Sequence, residues 1–393
     1  MLPFVRMFDY GNVVEPPVGT RYTCSDYSAT YSLIKDGVLY VSGMNNYYQL
    51  GNNTNVTRYN EWLKVPETDS VKFCSTGYSQ TMYLTNNGRI MIAGEDPTSS
   101  ATSVSVKVWT DITSRFRVVD TKKIVYISIE RFGVMMIMED GSVWACGVDN
   151  TGWSGQGSKT VGFFTFRQIY TGSAGSAVAC TAGTGTARIL LANGTILSSG
   201  TNTYHQCNAS TNPAVLTFTE SFPGVDPSLI YQIKMCNNNC IIFLSDKRYY
   251  GTGWGSFGAL GDGDITGSNN KFYAGTLSVA PKNMRAYMSY LCSSSGDSSM
   301  YIGDDNFIYT CGYRGRNLIN ATTDIGTFTK CIQSAQGYKN GLIYSGNYCA
   351  VVFDPDLGSG MSYAVSSPKL NSPAPQASVP TLGMSSLQAI ILP

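Results

Sequence analysis

The sequence predicts an all-β chain, a seven-bladed β-propeller, and three observations carry that expectation. A β-hairpin signal recurs at a near-constant interval of about 53 residues. Each recurrence has the same punctuation: an apolar strand, a two-residue polar turn, a second apolar strand, then glycine. The composition supplies a core and little charge, with 43% hydrophobic and 13% charged residues over 393 positions, against roughly 25% charged in an ordinary globular chain.

Residues 1–20 precede the first hairpin. They lack the basic start and apolar run of a secretory signal, and they are expected to lend a strand to the last blade and so close the ring. Residues 21–354 hold the hairpins. The first reads TYSLIKDGVLYVSG, ending at Gly43. TMYLTNNGRIMIAG, VMMIMEDGSVWACG and RILLANGTILSSG follow, ending at Gly94, Gly147 and Gly200. IIFLSDKRYYGTG and MYIGDDNFIYTCG end at Gly253 and Gly312, and the weaker GLIYSGNYCAVVF turns at Gly346-Asn347. The first four turns are Asp36-Gly37, Asn87-Gly88, Asp140-Gly141 and Asn193-Gly194. Asn-Gly and Asp-Gly suit a type I′ turn, which needs positive φ at both central residues. Asp246-Lys247 and Asp305-Asn306 are degenerate versions. The second turn residues fall at 37, 88, 141, 194, 247 and 306, at intervals of 51, 53, 53, 53 and 59. Such a unit cannot bury both faces by itself, and neighbours in a ring bury them for it.

Six of the eleven cysteines follow the repeat. Cys74, Cys180 and Cys292 lie 14 residues before their second turn residue, and Cys24 lies 13 before. Cys146 and Cys311 immediately precede the repeat glycine, where other blades carry Ser42, Ala93, Ser199 and Thr252. Cysteine is expected to act here as a small buried residue with a reduced thiol.

After the glycine comes a second signature, Gly43-Met-Asn45-Asn-Tyr-Tyr-Gln49-Leu50-Gly51, with eroded copies GVDNTGWSG from Gly147, GTNTYHQCN from Gly200 and GWGSFGALG from Gly253. The second blade keeps its hairpin and loses the loop motif. Hairpin followed by G-x-N-x-x-x-Q-L-G resembles the regulator-of-chromosome-condensation family of seven-bladed propellers, over roughly residues 21–354. The resemblance implies the fold. That family spans a nuclear GTPase exchange factor that also binds chromatin, enzyme inhibitors, photoreceptors and adaptors. No active-surface residue of the exchange factor maps onto this chain.

The sequence holds no constellation for catalysis. His205 is the single histidine, so multi-histidine metal sites are excluded, and it sits in a repeat loop. Gly253-Trp-Gly255-Ser-Phe-Gly258 matches a dinucleotide pattern but lies in a blade loop with no following helix. Gly152–Gly157 followed by Ser158-Lys159-Thr160 misses the phosphate-loop spacing by one residue. Cys236 and Cys240 lack a second ligand pair, and Asp262 with Asp264 supplies too few oxygens for calcium. No cofactor or metal is expected. The balance of 27 basic to 26 acidic residues offers no basic stripe for nucleic acid, and no apolar run approaches a membrane span. Tyr47, Tyr48, Trp153, Tyr204, Trp254 and Phe257 occupy related loop positions. They are the candidate contacts for a partner protein or a glycan, with packing between blades as the other reading.

From residue 355 the repeat breaks. Residues 357–393 carry five prolines, many serines and Lys369 as the one charged residue. Residues 355–393 are expected to form an extended arm that docks on a neighbouring subunit through Leu387, Ile390, Ile391 and Leu392. The composition, rich in Gly, Asn, Ser, Thr and Tyr, resembles appendage proteins of tailed-phage virions: fibre, collar, baseplate or head decoration. The expected function is therefore a non-enzymatic structural or binding protein of a virion, assembled in host cytoplasm, with other virion proteins and a host receptor or glycan as partners. The alternatives are an intracellular, cytoplasmic adaptor or GTPase exchange factor, and a carbohydrate-active propeller enzyme.

Overall fold

The computed structural model describes residues 20–24, 30–35, 37–56, 58–99, 105–116, 118–130, 132–160, 162–181, 185–235, 239–266, 270–283, 298–313, 323–330, 342–346, 349–354 and 361–366. These form seven antiparallel sheets, five of four strands and two of three. The first sheet is β1 (Thr20–Cys24), β2 (Thr30–Lys35), β3 (Val38–Met44) and β4 (Arg58–Lys64). The second is β5 (Val71–Thr76), β6 (Gln80–Thr85), β7 (Ile90–Glu95) and β8 (Ser105–Asp111), and the third is β9 (Ile124–Glu130), β10 (Gly133–Met138), β11 (Val143–Gly147) and β12 (Phe163–Tyr170). The fourth is β13 (Ala177–Thr181), β14 (Thr186–Leu191), β15 (Ile196–Thr201) and β16 (Ala214–Glu220), and the fifth is β17 (Ile230–Met235), β18 (Asn239–Leu244), β19 (Arg248–Trp254) and β20 (Asn270–Thr276). The sixth has β21 (Ser298–Ile302), β22 (Ile308–Gly312) and β23 (Ile325–Lys330), and the seventh has β24 (Leu342–Gly346), β25 (Cys349–Asp354) and β26 (Met361–Ser366).

Within every sheet the strand order is the chain order. The repeat hairpin forms the second and third strands of each four-stranded sheet. Its turn is not the expected type I′: among the described turn residues only the second of each pair takes positive φ, and its N–H closes a turn three residues back, as Gly88 N does on Thr85 O (3.0 Å) and Lys247 N on Leu244 O (3.1 Å). Gly37, Gly88, Gly141 and Gly194 take φ of 77°, 83°, 78° and 97°, and Lys247 and Asn306 adopt 73° and 64° at the same turn position. Asn tolerates this region better than Lys does.

Burial peaks at the second strand of the second to fifth sheets. β6, β10, β14 and β18 are buried at all six positions. They are largely apolar because both faces are covered, although β6 also buries Gln80, Thr81 and Thr85, and β14 buries Thr186 and Arg188. The outer strands are more open: β8 is half-buried or exposed throughout, and β16 buries only Val215. The apolar core lies between sheets rather than within one. Ile34, Leu39 and Val41 of the first sheet pack with Val71, Tyr83 and Met91 of the second. Met82 and Ile92 join Val134 and Met136 of the third, and Ala187 and Ile189 of the fourth. The first strands touch in succession, β1 with β5, β5 with β9, β9 with β13, and β1 also touches β24 of the last sheet.

Two sequence expectations meet the structure differently. Residues 361–366, read as part of the arm, form β26 and pair with β25 from Cys349↔Ser366 to Asp354↔Met361. Alternating Ser, Tyr, Ala and Val give that stretch strand character, which its proline-rich surroundings obscured. The ring-closing segment is described only at Thr20, already part of β1. Residues 1–19 and the arm anchors Leu387, Ile390, Ile391 and Leu392 lie outside the described residues.

The meander fixes two faces. Hairpin turns and the links between sheets leave one side. The repeat loops leave the other, together with the loops joining the first and second strands.

Candidate binding face

The repeat loop is a self-pinned structure built by its asparagine. In the first sheet Leu50 N donates to Asn45 Oδ1 (2.9 Å), and Asn45 Nδ2 donates to Thr54 O (2.6 Å). In the fourth, Cys207 N donates to Asn202 Oδ1 (2.9 Å), and Asn202 Nδ2 donates to the carbonyls of Ser210 (2.8 Å) and Asn212 (3.0 Å). The motif glutamine closes the inner turn: Tyr47 N donates to Gln49 Oε1 (2.9 Å) and Tyr204 N to Gln206 Oε1 (2.8 Å). The turn requires positive φ at one position, filled by Tyr48 (63°), Gly152 (80°), His205 (57°) and Gly258 (83°). In the third sheet Asp149 replaces the asparagine. Ser154 N donates to its Oδ1 (3.3 Å) and Ser154 Oγ to its Oδ2 (2.5 Å). Burial raises the Asp149 carboxyl above its ordinary value, and these bonds oppose the shift in part.

Three of the described loops also clasp the sheet that follows them. Ser199 Oγ donates to Trp153 O (2.6 Å), Thr252 Oγ1 donates to His205 O, and Ser299 Oγ donates to Ala259 O (2.5 Å). Ser199 and Thr252 are the small residues before the repeat glycine. The closing glycine of the motif lies against an aromatic ring on the next outer strand. Gly51 faces Trp109, Gly155 faces Phe218 and Gly261 faces Phe328, where a Cβ would come within 2.6, 2.4 and 2.5 Å. Two residues on, Asn53 N donates to Lys107 O (2.9 Å), Gly157 N to Leu216 O (2.8 Å) and Gly263 N to Gly326 O (2.8 Å).

The six aromatic candidates divide on this frame. Trp153 is 1% exposed. Its ring fills the space that a side chain at Gly133 would take, and its Nε1 donates to Val148 O (2.6 Å). It packs inside the fold, where the glycine opposite admits the indole. Tyr204 is 40% exposed. Tyr47, Tyr48, Trp254 and Phe257 are half-buried. Tyr47 lies 6.1 Å from the Tyr78 ring, and Lys107 Nζ sits 5.3 Å over Tyr48. Trp254 contacts Phe257 edge-on at 6.0 Å, and Phe257 contacts Tyr313 at 5.1 Å. Tyr313 was missed from sequence, although it follows repeat glycine Gly312 as Trp254 follows Gly253. The face thus gathers Trp254, Phe257 and Tyr313 into one half-exposed aromatic row. Phe257 holds φ of 63°, a conformation that bulky residues rarely adopt.

The remaining chemistry is quiet. Cys74, Cys146, Cys180, Cys207, Cys240 and Cys311 are free and buried, and burial pushes the Cys146 and Cys207 thiols up to about 12. Among the described residues no group of three or more His, Cys, Asp or Glu side chains could hold a metal ion. No helix of the described residues is long and apolar enough to cross a membrane.

No protein-family model matches the chain, and no curated protein matches it in sequence. Solved structures match its fold. Human WBSCR16 superposes with a TM-score of 0.66 at 11% identity, covering 81% of this chain and 86% of that one. Prp20p from Saccharomyces cerevisiae superposes at 0.63 with 15% identity, covering 88% and 82%. Yeast RCC1 (Prp20) bound to Kap60 gives 0.62 at 13%, covering 91% and 85%. The chain is an all-β protein with the propeller fold of these structures. At such identities the likeness concerns fold alone.

Proposed function

We propose that the chain is a closed seven-bladed propeller serving as a non-enzymatic protein-binding platform, of the adaptor or exchange-factor kind. The observation that carries this reading is the half-buried row of Trp254, Phe257 and Tyr313, with exposed Tyr204 on a loop pinned by Asn202 and Gln206. Aromatic side chains on a pre-ordered backbone give large contact area with little further loss of freedom. Contact between β1 and β24 supports closure of the last sheet onto the first. The neighbour Prp20 is bound to Kap60 in one solved structure, and the other was solved with its binding properties to Gsp1p and histones. That favours a protein partner here over the virion role suggested by composition, which these neighbours do not support.

The test combines two assays on the purified chain with a Gsp1p-type small GTPase carrying a fluorescent nucleotide. Accelerated nucleotide release marks an exchange factor, and binding without acceleration marks an adaptor. The double variant Trp254→Ala, Phe257→Ala is expected to lose binding at least about tenfold, since two aromatic anchors are removed, with an unchanged circular dichroism spectrum. Binding unchanged in a folded double variant would overturn the assignment of this face. Absence of both binding and release would remove the exchange-factor arm.

A further inference from the structure

The outer strand of a sheet presents unpaired N–H and C=O groups, and proteins blunt such edges with bulges or cover them. This chain does both. The pairing of β4, β8, β12, β16 and β23 with their inner neighbours is broken by register shifts. The edges of β8, β16 and β23 are further capped by the loops of the preceding sheets, through Asn53, Gly157 and Gly263.

β20 has neither protection among the described residues. It pairs with β19 over seven positions without a shift, from Arg248↔Thr276 to Trp254↔Asn270. Leu277 N donates to Lys247 O (2.8 Å) just beyond the ladder. Strand alternation then turns the N–H and C=O of Phe272, Ala274 and Thr276 away from β19. Ala274 and Thr276 are exposed and Phe272 is half-buried. Of the outer strands whose exposure is described, β20 alone joins an unbroken ladder to an uncapped edge.

We propose that this edge pairs with a second copy of the chain, β20 against β20, antiparallel about Tyr273. The register is self-complementary. Asn270 meets Thr276, Lys271 meets Gly275 and Phe272 meets Ala274, so the strand's one charged residue never faces its equal. The outward groups of Phe272 and Ala274 then exchange hydrogen bonds across the axis. The net charge of +1 leaves little repulsion between copies, and a two-fold pairing of one strand closes at a dimer. An edge of this size gives a weak, concentration-dependent dimer.

The test is sedimentation velocity over a wide concentration series. The wild-type chain is expected to move from monomer toward dimer as concentration rises. Ala274→Pro removes one outward N–H and leaves the β19 ladder intact; it is expected to stay monomeric with unchanged circular dichroism, while Ala274→Thr still dimerises. Hydrogen exchange on the wild-type chain gives a reading that does not depend on the variants folding. Protection over 270–276 should grow with concentration and stay confined to that strand. A wild-type chain that is monomeric throughout, a folded Ala274→Pro variant that dimerises, or protection arising elsewhere would overturn the proposal.

Discussion

The loop residues make individually testable claims. Asp149 occupies the slot that Asn45 and Asn202 hold in other sheets, and its burial raises the carboxyl above the ordinary 3.8. A carboxyl raised in the folded state favours folding only while protonated. That contribution is fully present below the ordinary value and lost as pH rises through the folded one. Asp149→Asn is therefore expected to be more stable than the parent at neutral pH, by on the order of 1 kcal/mol, with the gap closing in acid. Urea midpoints measured at neutral pH and near pH 3 check both arms. Asn202→Ala strands the buried Cys207 N–H and frees two carbonyls; a loss of roughly 1–3 kcal/mol is expected in the same measurement. The buried thiols predict a third outcome. Cys146 and Cys207, with thiols up to about 12, should resist a thiol reagent at neutral pH until denaturant is added.

At the scale of elements, the closing glycine of each loop has two separable roles. Gly155 combines φ of 70° with a ring 2.4 Å from where its Cβ would lie, whereas Gly157 has φ of 83° and nothing within 4 Å. Gly155→Ala should cost about 2 kcal/mol more than Gly157→Ala in denaturant unfolding, the excess reporting the clash with Phe218. Equal costs would show that backbone conformation alone selects glycine there. These contacts mark where the sequence stopped being legible. Hairpins could be read because the turn glycine encodes positive φ, although at that one residue only, and near-constant spacing carried the reading through Lys247 and Asn306. The loop motif was visible as a pattern, but its purpose lies in another sheet: Gly51 answers to Trp109, and Trp153 O to Ser199. The burial of Trp153 likewise follows from Gly133, a strand away. Position within a repeat told which aromatics were equivalent and could not tell which had a glycine opposite. β26 was hidden by composition, since serines and prolines around it outweighed its short alternation.

For the whole molecule, near-neutral charge and an aromatic face make one prediction about association. Binding through Tyr204, Trp254, Phe257 and Tyr313 should change less than about twofold between low and high salt, because screening has little long-range field to remove. Titration calorimetry at two ionic strengths measures this, and a steep salt dependence would point to a charged surface instead. The direction of the clasps has a further consequence, for synthesis. Every clasp runs forward: the third sheet's loop waits for Ser199, the fourth's for Thr252 and the fifth's for Ser299. A nascent chain that has just made the third, fourth or fifth sheet thus carries a finished seat whose occupant has not yet been translated. Growth proceeds like a zip drawn from the amino end. A chain halted partway exposes a vacant seat, whereas a chain missing its first sheets uncovers the ring that the lost glycine would have covered, Phe218 or Phe328. Truncation from either end therefore leaves an unmatched surface, and the burden on chaperones falls on both sides of an interruption.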